Sequence, residues 1–283
     1  MLDAPSGPAQ SWAGLRLDRP IVMGILNVTP DSFSDGGRYP DHRAATEAGH
    51  EMVRAGASVL DIGGESTRPG APAVGPGEEQ DRIIPVIRAL AREGYRISVD
   101  TRNASTMAAA LDEGACIVND VSALAHDPGA APLVAARGCP VVLMHMRGTP
   151  ETMTSLAVYR DVAAEVAAEL GARIDAALRS GIRPEAVAVD PGFGFAKTPA
   201  QSLALLRDLP RLRALGYPIL VGLSRKAMIG KLSGVVRPDQ RGAGSIAAAL
   251  WAIAHGALIV RVHDVAETAQ ALAVWQAIET EWS

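Results

Sequence analysis

The chain has 283 residues, with 27 Lys plus Arg against 31 Asp plus Glu, a formal net charge of -4, 48% hydrophobic residues and 4% aromatics. That length suits one (β/α)8 barrel of about 250 residues plus tails, or two ordinary domains. The charge balance lacks the basic excess of a nucleic-acid binder, and so few aromatics leave no base-stacking platform, though a local cationic pocket for a small anion is still compatible with both.

From the N-terminus, MLDAPSGPAQSWAG has no basic region followed by an apolar core, so residues 1–19 are expected to be a loose tail rather than a signal peptide. Residues 20–283 then alternate short apolar runs with Ala-rich helical stretches. Strand-like Ile21–Leu26 leads through a long loop, Asn27–Pro40, to helix-like Asp41–Gly56. Ser58–Ile62 leads through a second long loop, Gly63–Gly77, to Glu78–Gly94. Arg96–Val99, Asn103–Gly114, Ala115–Val118, Pro128–Gly138, Pro140–Met144 and Arg160–Gly181 continue the alternation. Ala186–Val189, Pro199–Gly216, Pro218–Val221, Arg241–Gly256, Ala257–Val260 and Asp264–Ser283 complete it. The strand-like runs lack polar alternation, as expected of parallel strands covered on both faces. Most helical stretches end at or beside a Gly, which suits a C′ position. Eight β-then-α units predict a single α/β fold, a (β/α)8 TIM barrel with the two long βα loops over its C-terminal face. A doubly wound open sheet is the competing architecture, but NVTPDSFSDGG after the first run is not a nucleotide fingerprint.

Cys116 and Cys139 each lie inside an apolar run without C-x-x-C spacing, which fits free thiols in a reducing compartment. No run approaches the roughly 18 apolar residues of a membrane span. The expectation is a cytoplasmic protein with no nucleic-acid or membrane partner.

In such a barrel the chemistry sits where strands end. The residues there are Asn27; Glu65, Ser66, Thr67 and Arg68; Asp100; Asn119 and Asp120; Met144, His145 and Arg147; Asp190; Ser224, Arg225 and Lys226; and Arg261 with His263. One Asp or Asn after a strand is usually a helix cap, and Asp100 and Asp264 each admit that reading. Convergence from so many strands is hard to obtain from capping alone. Asp100, Asn119 and Asp190 offer carboxylate acceptors and an amide, which suits a flat heterocycle with adjacent N–H and C=O groups. Lys226, Arg261 and His263 offer donors and positive charge, which suits an anionic leaving group such as a phosphate or diphosphate. There is no zinc motif. A metal would be a hard ion such as Mg2+, shared between an oxygen ligand like Asn27 and substrate phosphates. His145 admits a packing, supporting or catalytic role.

These residues sit in long motifs that resemble one family. ILNVTPDSFSDGG at Ile25–Gly37 and DIGGESTRPG at Asp61–Gly70 look like the two signatures of dihydropteroate synthase. VNDVS at Val118–Ser122, LMHMRGTPETM at Leu143–Met153, DPGFGFAK at Asp190–Lys197, LSRKAMIG at Leu223–Gly230 and RVHDV at Arg261–Val265 follow in the family's order. The resemblance implies condensation of (7,8-dihydropterin-6-yl)methyl diphosphate with 4-aminobenzoate, giving 7,8-dihydropteroate and diphosphate in folate synthesis. It implies that Asp100, Asn119, Asp190 and Lys226 bind the pterin, with Met144 and Gly222 packing near it. Asn27, Arg261 and His263 would handle the diphosphate, with Mg2+ on Asn27. Phe33, Pro69, Phe195 and Lys226 would enclose the aminobenzoate, and Thr67, Arg68 and Pro69 would belong to the second loop. The candidate catalytic set is Asp100, Lys226, Thr67 and Arg68. The family also implies a homodimer, through the last helices. Some relatives carry Ser after the SRK lysine; here the position is Ala227, which leaves a backbone N–H at the helix start for the aminobenzoate carboxylate. A pterin-binding methyltransferase domain and an inactive pterin-binding paralogue are the alternatives. The intact SRK, RVHD and loop motifs argue against both.

Overall fold

A computed structural model describes residues 11–29, 41–66 and 74–279. Two short strands, β1 (Ser11–Trp12) and β2 (Leu15–Arg16), pair as an antiparallel hairpin. Eight parallel strands then close into a barrel: β3 (Ile21–Asn27), β4 (Val59–Gly63), β5 (Ile97–Asp100), β6 (Ile117–Asp120), β7 (Val141–Met144), β8 (Val187–Asp190), β9 (Ile219–Val221) and β10 (Ala257–Val262). Around them lie α1 (His42–Arg54), α2 (Pro76–Arg92), α3 (Ala104–Asp112), α4 (Ala130–Arg137), α5 (Val162–Arg179), α6 (Pro199–Arg207), α7 (Ala227–Ser233), α8 (Gly242–Ala254) and α9 (Val265–Glu279). The barrel is the one the alternation predicts, and no described helix is long and apolar enough to cross a membrane.

Side chains alternate across each strand, and that period of two builds both the core and the site. Val22, Leu60, Val118, Val141, Val187, Ile219 and Val260 face outward and pack in the large layer under the helices. Ile21, Met23, Val59, Ile117, Val142, Ala188, Leu220 and Ile259 form a separate cluster inside the barrel. Stepping two residues further along the same strands from Val59, Ile117, Val142, Ala188, Leu220 and Ile259 reaches Asp61, Asn119, Met144, Asp190, Gly222 and Arg261. The register brings Asn27 level with Gly63, Gly63 with Asp100, Asp100 with Asn119, and Met144 with Asp190.

Residues 11–17 correct the expectation of a loose tail through residue 19. Trp12 is 1% exposed, its indole N–H donates to the Ala186 carbonyl at 2.9 Å, and with Leu17 it joins the inner cluster. The hairpin plugs the N-terminal end of the barrel. Two further differences have local causes. The stretch expected as one helix over Pro199–Gly216 stops at Arg207 and continues as a 3-10 segment, Leu209–Leu215. Pro210 lies there, lacking an N–H and crowding the preceding turn. Helix α2 starts at Pro76 rather than Glu78, using a proline where the first N–H has no helical partner anyway. Side-chain caps open other helices: Asp41 accepts from the backbone of Arg43 and Ala44, and Thr198 and Gln201 form a reciprocal capping box on α6.

Candidate active site

The strand-end residues converge at the C-terminal mouth of the barrel. Arg261, on β10, donates from Nε to Asp61 at 2.5 Å and from Nη2 to Asp100 at 2.6 Å. The Asn119 amide on β6 donates from Nδ2 to the same Asp61 oxygen at 3.0 Å. A carboxylate can only accept, so Asp61 turns the Asn119 carbonyl toward the mouth. It also leaves Arg261 Nη1 with no hydrogen bond among the described residues. The second Asp61 oxygen is buried and has no partner among the described residues. Burial works against charge throughout this cluster. It pushes Asp100 up to about 7, with Arg261 opposing the rise. Burial also opposes the charge on Arg261, but Asp61 and Asp100 hold its pKa above the ordinary value. Asp100 is therefore an ion-paired site carboxylate. The cap reading for it fails, because Asn103 occupies the cap position of α3.

On the opposite wall, Asp190 ends β8, and its Oδ1 accepts from the Gly192 N–H at 2.7 Å. Its Oδ2 faces Gly222, where an added Cβ would come within 3.9 Å of it. Burial raises Asp190, opposed by the Gly192 N–H and then by Lys226. Lys226, next in the wall, is pulled down to about 8 by burial, with Asp190 opposing. Its Nζ lies 4.4 Å from the Phe195 ring centroid, a cation–π contact. Met144 packs with Phe195, Met153 and Val121 in a small apolar cluster beside these groups. A cavity of about 270 Å³ opens along this side, lined among others by Met153, Gly194, Lys197, Lys226 and Ala227.

At the third side His263 shares a hydrogen bond of 2.9 Å between its Nδ1 and the Ser224 hydroxyl. Burial, then Arg225 and Arg261, pull its pKa to about 3, so it is neutral at pH 7. Arg225 turns away from the mouth to pair with Asp264; the last-helix residue expected as a possible cap is that partner. Asn27 stands partly exposed at the end of β3. Thr67, Arg68, Pro69 and Phe33 lie outside the described residues. The stems of the second loop are tied by Glu65, which pairs with Arg102 at 2.9 Å and accepts from the Val74 N–H at 3.2 Å.

Two groups fall outside the set read from strand ends. Asp61 is hidden because it lies within an apolar run; its signal is an acid in a strand covered on both faces. Lys197 is buried and reaches His145 at 2.9 Å, and burial pulls it to about 7, with Asp190 opposing. His145, pulled to about 4 by burial and then by Lys197, is buried away from the mouth and bonded to Glu169 at 3.0 Å.

Residues 23–263 match the family described as pterin binding enzyme. The chain is 49% identical over 267 residues to the dihydropteroate synthase of Neisseria meningitidis serogroup C, covering 93% of this chain and 94% of that one. It is similar in structure to a Xanthomonas albilineans dihydropteroate synthase solved with 4-aminobenzoic acid, at TM-score 0.89 and 52% identity, over 95% of this chain and 97% of that one. A second structure of the Xanthomonas enzyme, in complex with 7,8-dihydropteroate, matches at TM-score 0.85 and 50% identity, over 93% and 95% of the two chains.

Proposed function

This chain belongs to the pterin-binding enzyme family and is a transferase of the dihydropteroate synthase reaction, and from that premise we propose how its residues divide the work. The observation that carries the division is that acceptors and donors converge on one mouth. Asp190 and Asn119 present acceptors across it from each other, and Arg261 beside Asn119, Lys226 beside Asp190 and His263 on the third side present donors.

The pterin ring offers adjacent N–H donors to Asp190 Oδ2 and to the Asn119 carbonyl, with Gly222 leaving room beside Asp190 and Met144 packing alongside. The methylene–oxygen bond then breaks, and its electron pair leaves with the diphosphate. Arg261, whose Nη1 has no hydrogen bond among the described residues, and His263 hold that departing charge. The ring delocalises the cation left behind, and the Asp100 carboxylate offsets it. The aniline nitrogen of 4-aminobenzoate attacks the methylene carbon and loses a proton, so no strong general base is needed. Lys226 and Phe195 hold the aminobenzoate, whose carboxylate can reach the backbone N–H at Ala227. Thr67, Arg68 and Pro69 would complete this wall and exclude water.

Mg2+ fits the donor set as a shared ion. No group of three His, Cys, Asp or Glu residues among the described residues could hold a metal. Asn27 would supply one protein oxygen, with diphosphate and water supplying the rest, as a hard cation prefers. When bound, the ion would neutralise charge on the leaving diphosphate.

The partner is a second copy of this chain. Leu250 and Ile246 on α8 and Ala271, Val274, Trp275 and Ile278 on α9 line one apolar surface groove. Trp251, Val274 and Ile278 are exposed at 48%, 58% and 76%. An exposed apolar patch of that kind can be covered by the same patch of a second copy across a twofold axis. Two unpaired cysteines support a reducing, cytoplasmic setting. The decisive assay is diphosphate release, expected to require both substrates and Mg2+. Folded protein that releases none would overturn the assignment.

A further inference from the structure

The reaction as divided above leaves Lys197 without a task, although a buried lysine is costly to maintain. Its Nζ donates to the carbonyls of Gly192 and Phe195, each at 3.0 Å, and to His145 Nδ1 at 2.9 Å. The three protons of the ammonium are thereby used. The Glu169 carboxylate only accepts, so the neutral His145 carries its proton on Nε2, donates it to Glu169 at 3.0 Å and leaves Nδ1 bare to accept from Lys197. Glu169 on α5 is gripped in turn by Arg147. The chain of contacts runs from the β8 turn, through the exit of β7, to an outer helix.

That turn needs holding. Gly192, Gly194 and Ala196 all have positive φ, at 69°, 79° and 46°, and for alanine this backbone region is disfavoured. A Cβ on Gly192 would lie 2.0 Å from the His145 carbonyl oxygen, so the turn rests directly on the β7 exit. Phe195, the residue whose carbonyl Lys197 grips, presents its ring to Lys226 at 4.4 Å and flanks the mouth.

We propose that Lys197 is a positioning residue for the second substrate: anchored on His145, it fixes the Gly192–Phe195 turn so that the Phe195 ring forms a wall of the aminobenzoate pocket. This inference rests on the placement of aminobenzoate against Phe195. A lysine serving fold stability alone would affect both substrates alike. A positioning lysine affects the second substrate far more, because Asp190 and Asn119 are held by strands β8 and β6, and Asp190 touches the turn only through the Gly192 N–H on its Oδ1.

The test is steady-state kinetics in both substrates on Phe195→Ala, Lys197→Met and His145→Leu. Lys197→Met keeps the apolar stem and removes the donors. It is expected to raise KM for 4-aminobenzoate about tenfold, with KM for the pterin diphosphate changed less than about twofold. His145→Leu leaves the two carbonyl contacts and is expected to show the same selectivity at smaller size; it carries the test should Lys197→Met not fold. If Phe195→Ala leaves the aminobenzoate KM unchanged, the pocket placement fails and the inference with it. If Phe195→Ala raises that KM while Lys197→Met and His145→Leu do not, the placement stands and the role of Lys197 is overturned. Equal rises for both substrates would likewise overturn it.

Discussion

The two ends of the barrel are made from the same strands and face opposite problems. At the N-terminal end the inward positions are Ile21, Val59, Ile117 and Ile259, closed by Trp12 and Leu17. At the C-terminal end, two residues along, the inward positions become Asp61, Asn119, Asp190 and Arg261; Arg261 and Asn119 both bond the buried Asp61, and Asp190 is buried across the mouth from them. The lower end gains from removing apolar surface from water. The upper end pays to bury charge, and the pKa values of Asp100, Asp190 and Lys226 show that burial is the leading cause in each case. Stability and chemistry are thus separated along the strand axis by one step of the pleat.

The largest test of that separation is at the lower end. Trp12→Ala removes a fully buried indole and leaves the Ala186 carbonyl unpaired, for an expected loss of about 3–5 kcal/mol of stability. Denaturant unfolding measures it. The activity of the protein that remains folded should be unchanged. A lower kcat/KM per folded molecule would mean that the plug also shapes the mouth.

At the upper end the expected effect is on binding. Asp190 Oδ1 is already engaged by the Gly192 N–H, so in Asp190→Asn the amide nitrogen replaces Oδ2, the oxygen facing the pterin. A donor then meets a donor, at a cost of about 2–3 kcal/mol, or roughly 30- to 150-fold in pterin affinity. Stability should hold or rise, because a buried charge is removed. Calorimetry with unchanged pterin affinity would remove Asp190 from its role.

How much of this was legible in the sequence depended on where each signal lay. Asp100, Asn119, Asp190 and Arg261 end short apolar runs, so the strand boundary exposed them. Asp61 follows the same alternation from Val59, but Ile62 continues the apolar run past it, and only counting by twos along the strand marks it as inward-facing. Trp12 was hidden because two-residue strands carry no periodicity, and its partners Ala186 and Met23 lie elsewhere in the chain. Lys197 was hidden for the same reason: its partner His145 is 52 residues away, a pairing that exists only once β7 and β8 are neighbours. Phe33, Thr67, Arg68 and Pro69 lie outside the described residues, and their assignment continues to rest on the family's motifs.

The smallest expected effect sharpens the contrast through pH. His145 is buried neutral, with its pKa pulled by burial from 6.5 to about 4. The unfolded chain takes up that proton first as pH falls, so the histidine's contribution is present above about pH 6.5 and is lost progressively toward pH 4. Between pH 7 and pH 5 the loss is about 2 kcal/mol. Wild-type stability alone will not reveal it, because Asp100, raised to about 7, acts in the other sense. The folded state takes up the Asp100 proton first, and stability rises as pH falls below 7. The informative quantity is the difference between wild type and His145→Leu, measured by urea unfolding at both pH values. The wild type should lose about 2 kcal/mol relative to the variant on going from pH 7 to pH 5. Trp12→Ala compared in the same way should show a constant difference, since the indole does not titrate. A pH-independent difference for His145→Leu would mean that the imidazole titrates alike in the folded and unfolded protein, and the upper end would then lack the buried neutral histidine on which Lys197 rests.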